Sequence, residues 1–205
     1  MHARDNPFST ARLQHIRYRF QGGSWDGFLE DLKQRRYRGA IVGPEGTGKT
    51  TLLEDLEPRL RDLGFTPVRL RLTQEAPRFS PVMQQMIDSR VSDRHILLFD
   101  GSEQMGWLAW KRFLWRLGEI GGLIITRHRA GRLPTVLRCT TSPDLLGGIA
   151  RELLEGNADL TQKQVHDLFR RHHGNLRDAL RDLYDRFALG RMTLRQETRP
   201  NRLAP

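Results

Sequence analysis

The segment GPEGTGKT, residues 43–50, constrains the fold more than any other part of this chain. The apolar run GAIVG, residues 39–43, leads into it, and leucines at helical spacing follow it within residues 50–63. Glycine tolerates the backbone conformations of a tight turn, so the pattern predicts a buried strand, a loop and a helix in direct succession. A strand that feeds a helix in this way is the repeating unit of parallel α/β sheets.

The same segment has the G-x-x-x-x-G-K-[ST] spacing that cradles phosphate groups. Its glycines let backbone amides point inward, and the helix that follows adds the positive end of its dipole. Lys49 is expected to reach the β- and γ-phosphates of a nucleotide, and Thr50 to offer its hydroxyl to Mg²⁺. The alternative is a glycine-rich turn that merely carries a lysine. The residues expected to bind the nucleotide are Gly43, Pro44, Glu45, Gly46, Thr47, Gly48, Lys49, Thr50 and Thr51.

The run ILLFD, residues 96–100, predicts a buried parallel strand that ends in a carboxylate. Asp100 is expected to hold Mg²⁺ through water, as the second oxygen partner beside the loop threonine. The alternative is an aspartate that only caps the following helix. The next acid, Glu103, arrives after Gly101 and Ser102.

Strand and helix patterns alternate up to about residue 140, which predicts a five-stranded parallel sheet with right-handed helical crossovers. The predicted strands are residues 39–43, 66–72, 96–100, 122–126 and 135–139. The predicted helices are residues 25–35, 50–63 and 104–117. Pro58 lies inside the second helix and should kink or break it, because proline has no amide hydrogen.

The predicted helix over residues 104–117 is rich in tryptophan. Trp107, Trp110, Leu114 and Leu117 recur at helical spacing, which predicts that they form the buried stripe. Trp115 falls off this stripe, so it is the tryptophan expected to meet another subunit.

Three amphipathic helices are predicted after the last strand. Ser142 is expected to cap the first, Thr161 and Gln164 fit a capping box that opens the second, and the third starts at Asn175. The predicted segments are residues 1–37 (an N-terminal strap and first helix), 38–140 (the core), 141–190 (a small helical lid) and 191–205 (a flexible tail).

Composition limits the class of protein. A length of 205 residues with 38% apolar residues supports one α/β unit with a small appendage. The single cysteine, Cys139, excludes an intramolecular disulfide framework. No window combines a basic start with an apolar stretch or approaches about eighteen uninterrupted apolar residues, so a cytoplasmic protein without membrane contact is expected. The net charge of +10 permits contact with nucleic acid, but its arginines are scattered among acids, which leaves that partner open.

Three motifs together resemble the additional-strand P-loop ATPases, and within them the AAA+ type. GPEGTGKTT is similar to their Walker A segment and ILLFD to their Walker B strand. GLIIT, residues 122–126, resembles the sensor 1 strand, whose last residue, here Thr126, lies near the γ-phosphate and the attacking water. The resemblance implies a three-layer α/β/α P-loop fold with a helical lid, and Mg-ATP hydrolysis coupled to a conformational or assembly change. The chain also resembles a group of compact bacterial P-loop proteins of unassigned role.

Several arginines extend the resemblance. GNLR, residues 174–177, is similar to the sensor 2 segment of the origin-recognition and clamp-loader branches, which implies that Arg177 reaches a nucleotide phosphate. An arginine in the first turn of a helix opposes the dipole at a cost of about 0.3–1 kcal/mol, so this role would explain its position.

Arg129 or Arg132 lies where such proteins carry the arginine that enters a neighbour's site, which implies a homo-oligomer. Solvated arginines are the alternative at both places. Arg127 gives a likeness to the signalling branch of switch ATPases, which ranks second because its Gly-x-Pro lid signature is absent.

Aromatic residues before the glycine-rich segment, Phe8, Tyr18 and Phe20, fall in a region that the resembling families use to contact adenine. They are therefore candidates to stack on a base. An N-terminal strap that only packs on the domain is the alternative.

The resemblance fails at one catalytic position. The AAA+ pattern has a glutamate directly after the Walker B aspartate, and this chain has Gly101 there. Glu103 is the nearest substitute: if the strand ends in a turn at Gly101, its carboxylate could swing toward the γ-phosphate as a general base, with Gln104 as a neutral alternative.

Three functions remain open from the sequence. The first is an AAA+-like ATPase, the second is a nucleotide-dependent switch or adaptor with little hydrolysis, possibly associated with DNA, and the third is a small-molecule phosphotransferase. The third lacks a sequence signature for an acceptor pocket. Replacement of Glu103 separates the first two, because only an ATPase should lose turnover while it keeps ATP binding.

Overall fold

The computed structural model describes residues 6–88, 92–156 and 160–192. Contacts divide these residues into two units. Arg17–Thr140 form the sheet unit, and the described residues up to Ile16 join those from Thr141 onward in the helical unit. The predicted N-terminal segment, residues 1–37, is therefore shared between the units, and the predicted tail lies mostly outside the described residues.

Five parallel strands form the sheet, as the sequence predicts. They are β1 (Arg38–Val42), β2 (Thr66–Arg71), β3 (His95–Asp100), β4 (Gly122–Arg127) and β5 (Thr135–Arg138). Their order across the sheet is β2-β3-β4-β1-β5, so β4 lies between β1 and β3. Each predicted strand is found, with its ends shifted by no more than one residue.

Helices cover both faces of the sheet. In the sheet unit they are α2 (Trp25–Gln34), α3 (Lys49–Asp62), α4 (Pro81–Asp88) and α5 (Trp107–Leu117). Alternate strand residues point to opposite faces. Ile41, Leu98 and Ile124 pack with α2 and α3, whereas Val42 and Phe99 pack with α4 and α5. This two-sided burial explains why the central strands are continuous apolar runs.

Of the kink or break predicted at Pro58, the break is wrong. The helix runs continuously from Lys49 to Asp62, and Pro58 lies on its exposed side. Proline removes one hydrogen bond, and on an exposed side the carbonyl that loses its partner can be hydrated. Leu56 and Leu60, both fully buried, flank Pro58 and hold α3 against the sheet.

The helix predicted over residues 104–117 begins later and buries a different stripe. Residues Ser102–Gln104 form a 3₁₀ turn, and α5 starts at Trp107. Its buried residues are Trp110, Phe113 and Leu117, so the prediction that Trp107 and Leu114 are buried is wrong. Helix α4 was not predicted from the sequence.

The helical unit contains α1 (Thr10–Leu13), α6 (Pro143–Leu153), α7 (Gln162–Arg171) and α8 (Leu176–Ala188). The predicted caps are confirmed: Ser142 accepts from Leu145 N, and Thr161 forms a capping box with Gln164. Leu146, Leu183 and Phe187 lie in its core. No helix among the described residues is both long and apolar enough to cross a bilayer.

Candidate functional site

The carboxyl ends of β1, β3 and β4 meet at one edge of the sheet. β1 leads into the glycine loop, Gly43–Gly48, and then directly into α3. β3 ends at Asp100, and Thr126 is the next-to-last residue of β4. Ligands of open parallel sheets bind at this edge, so the geometry brings three predicted parts of the site together.

Backbone constraints fix the shape of the glycine loop. Gly46 and Gly48 have φ values of 71° and 83°, in the left-handed region that glycine adopts without steric cost. At Gly43, a Cβ atom would lie 2.6 Å from the carbonyl oxygen of Cys139. The three glycines are therefore required by the local geometry, independently of any ligand.

The remaining predicted residues of this segment have different environments. Thr47 is 5% exposed and donates its hydroxyl to the Pro44 carbonyl oxygen at 2.9 Å. Pro44 and Glu45 are exposed, and Thr51 is half-buried in the first turn of α3. The Thr47 hydrogen bond links the two ends of the loop and so helps to fix its shape.

Lys49 begins α3 and folds back over the glycine loop. Its Nζ donates to the carbonyl oxygens of Gly43 and Pro44, at 2.7 Å each. Burial lowers the pKa of Lys49, and Glu103 is the strongest of the negative groups that oppose this shift. Both hydrogen-bond partners of the ammonium group are neutral carbonyls rather than acids. Its positive charge is therefore not paired by them and can attract an anion inside the loop.

Asp100 joins the start of α3 to β4. Thr50 Oγ1 donates to Asp100 Oδ2 at 2.9 Å, and Thr126 Oγ1 donates to Asp100 Oδ1 at 2.5 Å. Arg71, at the end of β2, has its Nε 3.8 Å from Oδ2. The capping alternative is wrong, because Gly101 occupies the N-cap position of the 3₁₀ turn and Gly106 that of α5.

The paired oxygens of Thr50 and Asp100 fit a magnesium ion. Mg²⁺ binds through one or two carboxylates and keeps water and phosphate oxygens as its other ligands. Among the described residues, His, Cys, Asp and Glu form no cluster of three or more that would hold a metal. A metal at Asp100 would therefore need a phosphate ligand and water to complete its shell.

Gly101 explains why no glutamate follows Asp100. Its φ is 78°, and a Cβ atom there would lie 2.1 Å from the carbonyl oxygen of Leu72, just beyond β2. Its amide donates to Thr126 Oγ1 at 3.0 Å, which holds the turn against β4. A side chain directly after Asp100 has no space in this backbone, so an acid can enter the site only further along the turn.

Glu103 is that acid. It lies on the 3₁₀ turn with its side chain 20% exposed, and its Oε1 is 3.3 Å from His128 Nε2. Its Oε2 is buried and has no hydrogen-bond partner among the described residues. Lys49 and Arg132 both lie within its electrostatic influence. The Glu103 carboxylate is therefore influenced by two cations, and one of its oxygens has no hydrogen-bond partner among the described residues.

Arg132 holds the same turn from within its own chain. It donates to the carbonyl oxygens of Ser102, at 2.5 Å, and of Met105, and its guanidinium lies over the Trp110 ring, 4.9 Å from the centroid. Burial and the nearby Arg127 lower its pKa. Arg132 therefore has a local role that the sequence did not suggest. The exposed Arg129 is the better candidate for the predicted contact with a neighbouring subunit.

The sheet unit has a cavity of about 210 Å³ with Tyr18, Phe20 and Arg138 in its walls. The Tyr18 ring lies 3.4 Å from where a Cβ of Gly48 would be. Burial raises the pKa of Tyr18, and its hydroxyl donates to Cys139 Sγ at 3.4 Å. Tyr18 and Phe20 thus form a wall of the cavity.

Phe8, the third predicted aromatic, is 2% exposed in the core of the helical unit. Arg177 also belongs to that unit, as an exposed residue in the first turn of α8. Asn175 caps this helix, and Asp178 lies in the same turn, where a negative charge favours the dipole. The role of Arg177 stays a prediction.

Sequence reasoning missed three residues that shape the site and gave the fourth, Arg132, a role toward a neighbouring subunit instead. Arg71 and His128 contact its carboxylates, Arg132 holds the turn, and the fully buried Ser102 donates to the Thr126 carbonyl oxygen at 2.9 Å. The parallel order of strands could have placed Arg71, because it ends β2 at the same edge. No sequence pattern indicates the other three contacts, which depend on how the loops fold.

No protein-family model matches this chain, and comparison with curated proteins finds no match. The motif resemblance to AAA+ ATPases therefore stays a prediction. What the site can do follows from its own geometry.

Proposed function

We propose that this chain is an AAA+-like ATPase of the additional-strand P-loop class, which binds Mg-ATP at the carboxyl edge of its sheet. The observation that carries the proposal is the convergence on Asp100 of Thr50, from the loop helix, and Thr126, from β4. A phosphate-binding loop of the Walker A type needs a metal-binding acid beside its threonine. The position of β4 between β1 and β3 also supports this class, because it puts a polar strand end between loop and acid.

The glycine loop and Lys49 would bind the phosphates. Amides at the start of α3 and the helix dipole favour an anion there. Lys49 Nζ would exchange its contacts with Gly43 and Pro44 for phosphate oxygens, and the Thr50 hydroxyl can keep donating to Asp100 while a lone pair of its oxygen binds Mg²⁺. Mg²⁺, when bound, supplies charge neutralisation of the phosphate oxygens.

Glu103 would act as the general base. Its unpaired Oε2 accepts a proton from water as the water oxygen attacks the γ-phosphorus and the bond to the bridging oxygen of ADP breaks. Thr126, 1% exposed, is held by Asp100 and by the amide of Gly101, so its position is fixed for orienting that water. A hydrogen-bonded, buried side chain of this kind loses little freedom when it binds.

The cavity beside Tyr18 would take the base of the nucleotide. Its wall residue Tyr18 lies next to Gly48 of the glycine loop, and Phe20 is a second aromatic in the wall. Aromatic faces stack on any base, so this cavity supports a nucleotide but does not by itself select adenine.

The helical unit would be the part that responds to the nucleotide. Arg177 corresponds to the sensor 2 arginine of the families that the chain resembles. A guanidinium that binds a nucleotide phosphate would make the position of its helix depend on which nucleotide is bound. Arg129 would contact the nucleotide site of a neighbouring copy, so that this contact also depends on the bound nucleotide. A homo-oligomer formed in this way is part of the proposal.

One observation favours a second candidate, a nucleotide-dependent switch with slow hydrolysis. Glu103 Oε1 already contacts His128, and the position next to Asp100 is a glycine. A base restrained outside the standard position would slow the chemical step without weakening binding. The two candidates share the site and differ only in turnover.

The deciding experiment measures ATP binding and ATP hydrolysis for the purified protein and for Lys49→Ala and Glu103→Gln, with and without duplex DNA. The proposal expects turnover in the wild type, loss of binding and turnover in Lys49→Ala, and loss of turnover alone in Glu103→Gln. Binding without turnover in the wild type supports the switch. Absence of Mg-ATP binding in the wild type would falsify both candidates.

A further inference from the structure

The sheet unit presents a concentrated apolar surface on α4 and α5. Eight large apolar side chains are exposed among the described residues, and six of them lie on these two helices: Val82, Met86, Trp107, Leu108, Leu114 and Trp115. The other two, Leu63 and Leu189, stand singly at the ends of α3 and α8. Exposed apolar residues are ordinary when scattered, but a group on adjacent helices marks an interaction surface.

The side of α5 that faces away from the sheet carries two apolar residues and, between them in the sequence, two cations. Burial of Trp110 and Phe113 fixes which side of α5 faces the sheet. On the opposite side stand Leu108 and Trp115, which are 70% and 85% exposed. They are seven residues apart and therefore lie one above the other along the helix, with Lys111 and Arg112 on either side of the line. We call Leu108, Lys111, Arg112 and Trp115 the α5 ridge.

The ridge is basic as well as apolar. The sequence of α5, WLAWKRFLWRL, contains three cations and no acid. Arg116 is satisfied by Asp88 of α4, with Nη2 to Oδ2 at 2.6 Å. Within the described part of the chain, neither Lys111 nor Arg112 forms an ion pair; Lys111 lies over the Trp107 ring, 4.7 Å from its centroid. A complementary surface would therefore carry carboxylates beside an apolar stripe.

A second copy of this chain is a poor partner for the ridge in a two-fold dimer. In such a dimer the same surface packs on itself, and its centre meets its own image. The centre of the ridge, midway between Leu108 and Trp115, is the pair Lys111 and Arg112. Two-fold packing would bring four cations together with no acid on α5 to offset them.

A membrane surface is also a poor partner. Helices that lie in a lipid interface insert a broad apolar face into the acyl boundary. The broad apolar face of α5 already packs on the sheet, through Trp110, Phe113 and Leu117. Leu108 and Trp115 are the most exposed apolar side chains of α5, and Lys111 and Arg112 lie between them along the helix, so this side of α5 is not a continuous apolar face.

We propose that the α5 ridge docks an acidic amphipathic helix of another protein. Such a helix would place an apolar stripe against Leu108 and Trp115, and carboxylates on both flanks of the stripe against Lys111 and Arg112. The net charge of +10 would attract an acidic partner before contact. The docking does not rest on the proposed nucleotide site, because none of the four ridge residues is assigned to that site.

The test measures binding of three synthetic helical peptides to the full-length protein by calorimetry. One has a leucine stripe flanked by glutamates, one has the same stripe flanked by lysines, and one has the glutamate composition in scrambled order. The proposal expects the first to bind at least about tenfold tighter than the others, with Trp115 fluorescence shifted to the blue. Equal affinity for the three peptides, or no binding by any, overturns it.

Variants then identify the surface. Trp115→Ser and Leu108→Ser should each weaken the acidic peptide about tenfold or more, whereas Leu63→Ser, an exposed leucine elsewhere, should not. Lys111→Glu with Arg112→Glu should reverse the preference to the lysine-flanked peptide, and this result does not depend on the stability of the tryptophan variants. An unchanged preference contradicts the proposal. So does a Trp115-dependent association with anionic vesicles alone, or a Trp115-dependent dimer by solution mass.

Discussion

The glycine loop and the turn after β3 lie at the same edge of the sheet, yet the sequence specifies them in different ways. We call the second segment, Gly101–Gln104, the acid turn. Both begin next to a buried strand and both use glycine with positive φ. In the proposed function the glycine loop would bind phosphate through backbone amides, so its residue spacing is fixed. The acid turn would act through a side chain, which can come from a different position if the backbone brings it to the same place.

The reason for this difference lies in the neighbouring strand. At Gly101 the carbonyl oxygen of Leu72 occupies the space that a Cβ would need. The glutamate therefore cannot follow Asp100 directly, and the 3₁₀ turn brings Glu103 toward Lys49 two residues later. A shift of an acid along the sequence does not by itself mean that the acid is lost.

The largest expected effect concerns the glycine loop. Lys49→Ala removes the cation that the loop holds between two carbonyls, so Mg-ATP affinity should fall on the order of a hundredfold, as for loss of a buried charge partner. Titration of a fluorescent ATP analogue measures it. Lys33→Ala, an exposed lysine on α2, is the matched control. If both variants bind as the wild type does, the glycine loop is not a phosphate site.

The next effect concerns the acid turn alone. Glu103→Gln keeps the shape of the side chain but removes its basicity, so kcat should fall about a hundredfold or more while ATP affinity stays within about twofold. Single-turnover hydrolysis measures the chemical step directly. Glu119→Gln, an exposed glutamate, serves as control. Unchanged turnover would show that the acid turn is not the counterpart of the missing glutamate.

The fold was largely predictable from the sequence because the core strands are buried on both faces. Short apolar runs such as residues 96–100 are typical of central strands buried on both faces, and caps such as Ser142 mark the starts of helices. Helix α4 was missed although Ser80 and Pro81 give the same start signal as Ser142 and Pro143; the Ser80 hydroxyl accepts from Met83 N at 3.2 Å. The wrong stripe on α5 has a physical cause: several apolar residues, Leu108 and Trp115 among them, compete for burial on one short helix.

The candidate site was predictable only where backbone spacing defines it. Lys49, Thr50 and Asp100 follow from strand and loop patterns, and the structure brings the last two within 2.9 Å. The contacts of His128 and Arg132 depend on the path of the loop after β4, for which no sequence rule exists. The sequence therefore does not predict which loop side chains contact the site.

Gly101→Ala tests the steric account of the acid turn. The added methyl meets the Leu72 carbonyl oxygen in a left-handed conformation, so the free energy of unfolding should fall by about 2–4 kcal/mol. Urea unfolding measures it. Gly106→Ala is the control, because its φ is −65° and no atom lies within 4 Å of the added methyl. Equal stability of the two variants would mean that the turn can relax, and the explanation for the displaced glutamate would fail.

A smaller effect is expected at His128. Its Nε2 lies 3.3 Å from Glu103 Oε1 with 44% of the side chain exposed, so His128→Asn should change kcat only about two- to fivefold and leave ATP affinity unchanged. A fall in kcat means that His128 orients Glu103 as the base, and a rise in kcat means that His128 restrains it. His166→Asn, an exposed histidine on α7, should change nothing. No change in either variant would show that the contact has no part in turnover.

The smallest effect is expected at Arg71, whose ion-pair partner is Asp100, the residue just before the acid turn. Arg71 Nε lies 3.8 Å from Asp100 Oδ2, and its side chain is 56% exposed, so it competes weakly with a metal for this carboxylate. Arg71→Ala should therefore lower the Mg²⁺ concentration at half-maximal ATP binding by about twofold, the size expected for an exposed ion pair. The gain should disappear at high salt, since screening already removes the competition there. Arg78→Ala, an exposed arginine outside β2, should leave the Mg²⁺ dependence unchanged. A higher Mg²⁺ requirement in Arg71→Ala would instead assign Arg71 to the phosphates, and the edge of β2 would join the glycine loop as an anion-binding part of the site.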